Sequence, residues 1–160
     1  MKYSRIFLLS GILILTMPNV SFAQSEIEEI IVTAAKRSQN LQDVSIAMTA
    51  VSGDMIDNFG FENNLDIAAQ APNVFADEGS YSGGLTIRGN STSNPQLAGE
   101  GNVALYFDDV YRPTAYYPGN QLLDTGRAEI LRGPQGTLFG RNAVSGLLHI
   151  ISRKPTDEFE

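Results

Sequence analysis

Apolar and polar residues alternate along several short stretches of the chain, a pattern typical of strands with one buried face. The first stretch begins after Ser45, where Ile46, Met48 and Ala50 share one side. Runs of β-branched and apolar residues predict further short strands at 73–76, 85–88, 103–107, 110–112, 128–131 and 147–152. Long polar connections separate them at 79–84, 90–102 and 112–120, and loops of this length are usually functional or disordered.

Two short helices are predicted after the first strand. Ser52 can cap the first helix, and Gly60 can end it in a left-handed conformation. The second begins near Asn64 and must end before Pro72, because the residue before a proline disfavours helix. Its predicted apolar side is formed by Leu65, Ala68 and Ala69. Short strands, short helices and long loops together predict an α+β fold.

The first 23 residues have the pattern of a secretory signal peptide. Lys2 and Arg5 precede an apolar run at 6–17, and the small residues Ser21 and Ala23 stand at the positions expected before a cleavage site. The run is shorter than the ~20 residues of a membrane-spanning helix, which disfavours a membrane anchor. We therefore expect export and a mature chain that begins at Gln24.

Charge and cysteine content narrow the classes of function. The leader holds two of the 11 basic residues and none of the 18 acidic ones, so the mature chain carries nine basic residues against 18 acidic. Nucleic-acid binding is not expected, because it requires a basic surface. The chain has no cysteine, so packing or a partner must stabilise it without disulfides.

The segment 24–44 lacks the pattern of a core element. Acidic residues precede a run of strand-forming residues at 30–34, and the charges of Lys36 and Arg37, which we expect in solvent, follow it. Two interpretations are open. The run is either an edge strand of the main domain or a tethered strand that joins the sheet of another protein.

A glycine-rich stretch at 131–142 raises the question of a phosphate site. Gly133, Gly136 and Gly140 are spaced three and four residues apart, which fits neither a P-loop nor a dinucleotide-binding loop. Both mechanisms depend on their spacing, so the sequence does not predict a nucleotide site.

The sequence shows no arrangement typical of catalysis or metal binding. His149 is the single histidine, lies in an apolar strand and has no second histidine or cysteine with which to form a zinc site, so we expect a packed residue. Asp108 and Asp109 are adjacent and would point to opposite faces of a strand. We expect them to close a hairpin instead. Neither an enzyme, a metal ion nor a cofactor is predicted.

Two arginines stand in similar places. Arg88 and Arg132 each end an apolar strand directly before a glycine, Gly89 and Gly133. Such an arginine is usually a solvated strand end, but beside a glycine it could also reach a buried carboxylate on another element. No acidic residue of the sequence is an obvious partner, so both interpretations stay open.

Five motifs, in this order, resemble the N-terminal part of TonB-dependent outer-membrane receptors. Residues 28–34, EEIIVTA, resemble the TonB box, and residues 85–89, LTIRG, resemble a strand of the plug domain. Residues 103–111, VALYFDDVY, resemble its hairpin. Residues 127–142, RAEILRGPQGTLFGRN, resemble its strongest signature, and residues 145–155, SGLLHIISRKP, its closing strand.

The resemblance implies a domain organisation. It implies a signal peptide at 1–23, a flexible periplasmic segment at 24–44 with the TonB box, a plug domain at 45–154, and at 155–160 the start of a linker to a β-barrel absent from this sequence. In such receptors the plug closes an outer-membrane barrel of about 22 strands. A scarce nutrient, such as a ferric siderophore or other iron chelate, binds outside. The TonB box then adds a strand to the TonB C-terminal domain, which supplies the force for uptake.

The resemblance also assigns roles to residues. Binding to TonB is implied for Glu29, Ile30, Ile31, Val32, Thr33 and Ala34. Arg88 and Arg132 are implied to pair with carboxylates of the barrel wall and so lock the plug in place. Tight backbone turns are implied at the structural glycines Gly89, Gly133, Gly136 and Gly140.

Three tyrosines in or beside the third loop, which the resemblance turns outward with residues 91–101, are candidate ligand contacts. Tyr111, Tyr116 and Tyr117 offer flat amphipathic rings, and packing against the barrel wall is the alternative role. The chain departs from the family at Asp109 and Ser145, where glycine is common, and at His149, where asparagine is usual. These departures leave the substrate open. The alternatives to a receptor plug are a free-standing periplasmic ligand-binding module and a truncated receptor without function.

Overall fold

The computed structural model describes residues 30–33, 36–76, 84–91, 101–112 and 122–155. The fold is α+β, as the sequence predicted. The strands are β1 (Ile31–Val32), β2 (Gln39–Asn40), β3 (Met48–Ser52), β4 (Val74–Ala76), β5 (Leu85–Ile87), β6 (Asn90–Ser91), β7 (Val103–Phe107), β8 (Val110–Arg112), β9 (Thr125–Arg132) and β10 (Gly146–Ser152). The helices are α1 (Gly53–Phe59), α2 (Asn64–Ala69) and α3 (Gly136–Phe139), with a 3-10 turn at Leu41–Asp43.

A mixed five-stranded sheet forms the centre of the domain. Its strand order is β3-β9-β10-β7-β8, and only β7 and β10 are parallel. The central strand β10 is buried from Gly146 to Ile150, because both faces of the sheet are covered. This explains why its sequence is an almost continuous apolar run rather than an alternating one.

Each face of this sheet carries its own apolar cluster. Side chains alternate along a strand, so Leu148 and Ile150 enter one cluster while Leu147 enters the other. The first cluster receives α1, α2, β4 and β5. The second, which we call the coupling-face cluster, consists of Val32, Ala104, Tyr106, Leu131, Phe139, Ala143 and Leu147.

Local capping accounts for the two longer helices. The Ser52 hydroxyl accepts from the backbone N–H of Met55 at 3.3 Å, and Gly60 ends α1 at φ 66° and ψ 41°, which confirms both sequence predictions. Asn63 caps α2 and forms a reciprocal capping box with Asp66.

The predicted apolar side of α2 was right at Ala68 and wrong at Ala69. Ile67 and Ala68 are buried together with Asn64, whereas Ala69 is exposed and Leu65 is only half-buried. Ile67, the larger β-branched residue, takes the position against the core.

The three predicted long connections lie largely outside the described residues. Residues 77–83, 92–100 and 113–121 fall outside the described residues, as do the leader and residues 156–160. Among the residues described, no helix is long and apolar enough to cross a membrane.

Candidate functional site

The segment that resembles a TonB box lies on the domain as one strand of a small hairpin. Ile31 pairs with Asn40 and Val32 with Gln39, in an antiparallel ladder of two residues. The Leu41 N–H donates to the Ile30 carbonyl at 3.0 Å and continues this ladder. The segment is therefore packed on the domain, yet its pairing is short.

One side chain anchors this strand. Val32 is 0% exposed in the coupling-face cluster, whereas its neighbour Ile31 is 57% exposed. The difference follows from the alternation of side chains along a strand. Burial of a valine of this kind contributes roughly 1.5–3 kcal/mol to docking of the strand.

A buried carboxylate holds the end of the strand. Glu129 on β9 is 0% exposed, and its Oε1 accepts from the Thr33 N–H at 2.8 Å and from the Thr33 hydroxyl at 3.2 Å. The Arg127 Nε donates to the same oxygen at 2.8 Å, and its Nη2 donates to the Thr33 hydroxyl at 3.3 Å. A buried charge requires such donors, since it has lost its contact with water.

The position of Glu129 follows from the register of the sheet. Glu129 pairs with Ala50 on one side and with His149 on the other, and His149 pairs with Tyr106. Tyr106 in turn pairs with Tyr111. One row therefore crosses all five strands on the face that receives β1, which we call the coupling strand.

His149 is packed within this row, as the sequence predicted. The side chain is 2% exposed, and its Nε2 accepts from the Asp109 N–H at 3.2 Å, which assigns the proton of the neutral ring to Nδ1. Burial lowers the pKa of His149, against the opposing effect of Glu129 and Asp109. The described residues hold no group of three or more His, Cys, Asp or Glu side chains suited to a metal ion.

Tyr111, one of the three candidate ligand contacts, is half-buried beside Tyr106. The two rings lie 5.6 Å apart between centroids, and the Tyr111 hydroxyl accepts from the Asn142 amide. Burial, followed by the effect of Tyr111, raises the pKa of Tyr106, whose hydroxyl donates to the Phe139 carbonyl. These contacts pack Tyr111 within the domain, and both its contact with a ligand and its packing against the barrel wall stay predictions. Tyr116 and Tyr117 lie outside the described residues.

Arg132 ends β9, and the Arg88 guanidinium lies beside the next residue, Gly133. The Arg88 Nη1 lies 3.1 Å from the place where a β-carbon on residue 133 would stand, so Gly133 leaves room for this guanidinium. Arg132 donates to the carbonyls of Pro72 and Met48, each at 3.3 Å, while its buried Nε has no partner. Across the described ranges, no carboxylate lies within ion-pair distance of either arginine.

Three of the four glycines assigned a structural role adopt a backbone that other residues rarely adopt. Gly89, Gly133 and Gly140 have φ values of 80°, 112° and 83°. Gly136 has no positive φ and is the first residue of α3, a short helix in what the sequence predicted to be a glycine-rich turn.

The sequence reasoning missed the residues that hold the coupling strand. Neither Arg127 nor Glu129 was selected, although Glu129 is a charged residue within an apolar strand, which is the signal that could have indicated it. Of the residues implied to bind TonB, Ile30 to Thr33 lie on this face, while Glu29 and Ala34 lie outside the described residues.

Comparison with known proteins shows which family the sequence matches. Residues 40–147 match the family model described as TonB-dependent Receptor Plug Domain. The pesticin receptor of Yersinia pestis is 27% identical over 158 residues, which are 97% of this chain and 23% of that protein. An iron-regulated outer membrane virulence protein of Vibrio cholerae is 26% identical over 138 residues, which are 82% of this chain and 21% of that protein.

A solved structure shares the fold. The ferric yersiniabactin uptake receptor FyuA of Yersinia pestis superposes with a TM-score of 0.59 at 26% identity, over 69% of this chain and 17% of that one. The chain thus spans less than a quarter of the length of the relatives it matches.

Proposed function

The chain belongs to the TonB-dependent receptor plug domain family, and from this we propose that it is the plug of an outer-membrane receptor for energy-coupled uptake of an iron chelate such as a ferric siderophore. The relatives that it matches include a pesticin receptor, an iron-regulated outer membrane virulence protein and a catecholate siderophore receptor. In this proposal the plug closes a barrel supplied by a longer receptor, with the coupling strand toward the periplasm.

The short docked strand β1 is the observation that carries the proposal. A two-residue ladder, one buried side chain and the hydrogen bonds of Thr33 hold it, and we propose that it detaches without unfolding the main sheet. Its second edge pairs with no strand in the described part of the chain. An unpaired edge is a template for strand addition, and we propose that the TonB C-terminal domain is the partner that pairs with residues 29–34.

Arg88 and Arg132 support a second part of the proposal. Guanidinium groups form strong paired hydrogen bonds with carboxylates. Among the described residues, no carboxylate lies within ion-pair distance of either arginine. We propose that Arg88 and Arg132 bind acidic residues of the barrel wall and hold the plug in the lumen. The outward loops that contain Tyr116 and Tyr117, with Tyr111 at their base, would face the nutrient.

Uptake of radioactive iron by cells that carry the receptor tests the proposal. Val32→Pro removes the N–H and the side chain that β1 needs for strand pairing, so we expect uptake of a ferric catecholate or ferric hydroxamate to fall at least about tenfold, while surface binding persists. Ser38→Pro is the matched control, since the Ser38 N–H is bonded to no backbone group among the described residues and the position is exposed.

Two results would contradict the proposal. Uptake that is unchanged by Val32→Pro would show that β1 is not required for energy-coupled uptake. Growth on iron chelates that does not depend on the receptor gene would remove the transport function itself. The arginine lock is tested separately with Arg132→Gln, for which we expect a plug that is more readily extracted from the barrel by urea.

A further inference from the structure

We infer that Thr33, Arg127 and Glu129 form a latch that holds the coupling strand on the plug and sets how readily that strand detaches. The inference rests on the proposed function, because it concerns the regulation of the same strand. In this role Arg127 and Glu129 hold Thr33 in place through hydrogen bonds. They lie two residues apart on β9 and therefore on the same face of the sheet, opposite Thr33.

The burial of Glu129 gives the latch its strength. The carboxylate is 0% exposed and receives three hydrogen bonds at Oε1, two of them from Thr33. Detachment of the strand would leave Arg127 as the one remaining donor among those bonds. Release of the strand exchanges the Thr33 donors for water, so the latch contributes the difference between charge-assisted hydrogen bonds in a covered site and hydrogen bonds with solvent.

Arg127 couples the two partners. Its Nε donates to Glu129 and its Nη2 donates to the Thr33 hydroxyl, so one guanidinium joins the strand and the sheet. Its side chain is 26% exposed, whereas that of Glu129 is fully covered. Arg127 is thus the member of the latch that solvent, or an approaching partner, can reach while the strand is docked.

The absence of cysteine from the chain makes detachment measurable. Val32→Cys introduces a single thiol that is covered while β1 is docked, and the rate of its reaction with a maleimide reports detachment. Val51→Cys is the matched reporter of global unfolding, because Val51 is equally buried on β3, in the cluster on the other face. Both reporters are measured in the full chain, alone and combined with each latch variant.

We expect Glu129→Gln to accelerate labelling of the Val32→Cys thiol by about tenfold or more, because it removes the charge from the hydrogen bonds with Thr33 and Arg127. Thr33→Val keeps the N–H and the shape but loses the hydroxyl, so we expect a smaller acceleration of about threefold. Thr33→Ser restores the hydroxyl and most of the protection. Glu62→Gln, an exposed change away from β1, is the charge control.

Unchanged labelling of the Val32→Cys thiol in Glu129→Gln would overturn the latch. A parallel acceleration of the Val51→Cys thiol would also overturn it, since the variant would then weaken the whole fold. If Glu129→Gln fails to fold, the difference between Thr33→Val and Thr33→Ser decides the question, and equal rates in these two would overturn the latch.

Titration of the same variants with the TonB C-terminal domain separates the latch from the proposed function. A latch predicts that the affinity of Glu129→Gln for the TonB domain rises by about the factor by which labelling rises. The reason is that the coupling strand is detached in a larger fraction of the molecules. Faster labelling with no binding in any variant would refute the proposed function and keep the latch. Binding that depends on Val32, with labelling unchanged, would keep the function and refute the latch.

Discussion

Thr33 donates both its backbone N–H and its hydroxyl to the carboxylate of Glu129, a residue 96 positions later in the chain. This contact joins the N-terminal segment to the second strand of the central sheet. The segment is docked on the domain, where it pairs with β2 rather than with the central sheet. Its addition to the sheet of another protein stays a prediction.

Val32→Ala should weaken docking of β1 without unfolding the domain. The substitution removes two buried methyl groups, which costs roughly 1–2.5 kcal/mol at a site that cannot collapse. Hydrogen exchange at the Thr33 and Leu41 amides, which bond only in the docked state, should accelerate accordingly. Ile31→Ala, at an exposed position, is the control. Equal acceleration in the two variants would contradict the anchoring role of Val32.

Gly146→Ala should unfold the domain or cost about 3 kcal/mol or more. Gly146 has a φ of 147°, and an added β-carbon would overlap the Leu131 carbonyl oxygen of the neighbouring strand and lie 2.9 Å from Ile87. Gly136→Ala is the matched control, because nothing lies within 4 Å of the added carbon in α3. It should leave the free energy of unfolding unchanged or raise it by up to about 1 kcal/mol. Denaturant titration of both variants measures the difference, and similar midpoints would contradict this geometry.

Asp109→Gly should stabilise the hairpin between β7 and β8. Asp108 and Asp109 occupy the two turn positions with φ values of 44° and 65°, and a glycine at the second relieves the left-handed backbone. The N–H that donates to His149 is retained. We expect a gain of up to about 1 kcal/mol in thermal or chemical unfolding, whereas Asp109→Ala should be destabilising. A glycine variant less stable than the alanine variant would refute this explanation.

Acid should destabilise the domain through His149. Its pKa in the folded state is lowered by burial, so the unfolded chain takes up the proton first, near pH 6.5. The stability contributed by the neutral ring is complete above that pH and is lost as the pH falls toward the lowered folded pKa. Glu129, Asp109, Asp108 and Arg127 are the charged groups around the ring.

The asparagine variant tests this pH dependence. We expect the free energy of unfolding, measured between about pH 7.5 and about pH 5, to fall more steeply in the parent chain than in His149→Asn. The Asp108 pKa is lowered by hydrogen bonds from Ser152, so its own contribution is lost only at more acid pH. Identical slopes in the parent and the variant would show that His149 does not titrate in this window.

Local chemistry made part of this fold predictable. Alternation and the Asp108–Asp109 turn gave β7 and β8 with their observed bounds, and Ser52 and Gly60 marked the two ends of α1. These features depend on neighbours within a few residues, so the sequence contains their cause.

The features that were missed depend on distant partners. β2 is only Gln39–Asn40, two polar residues with little strand propensity, and it forms because β1 pairs with it. Glu129 is buried because donors from Thr33 and Arg127 compensate its charge. Arg127 is close in sequence, but the residues of β9 do not indicate the distant donor Thr33. The short helix α3 lies within the glycine-rich stretch, where the sequence did not predict a helix, and its Phe139 packs in the coupling-face cluster.

The most direct test of the proposed function follows the backbone amides of β1 while the TonB C-terminal domain is added to the full chain. If the strand leaves the plug to join TonB, the Leu41 amide loses its protection from hydrogen exchange, while the amides of Ile31 and Val32 gain protection in the complex. The Val32→Pro variant should then fail to bind. Complex formation that leaves the Leu41 amide protected, or that persists in Val32→Pro, would contradict strand exchange as the coupling step.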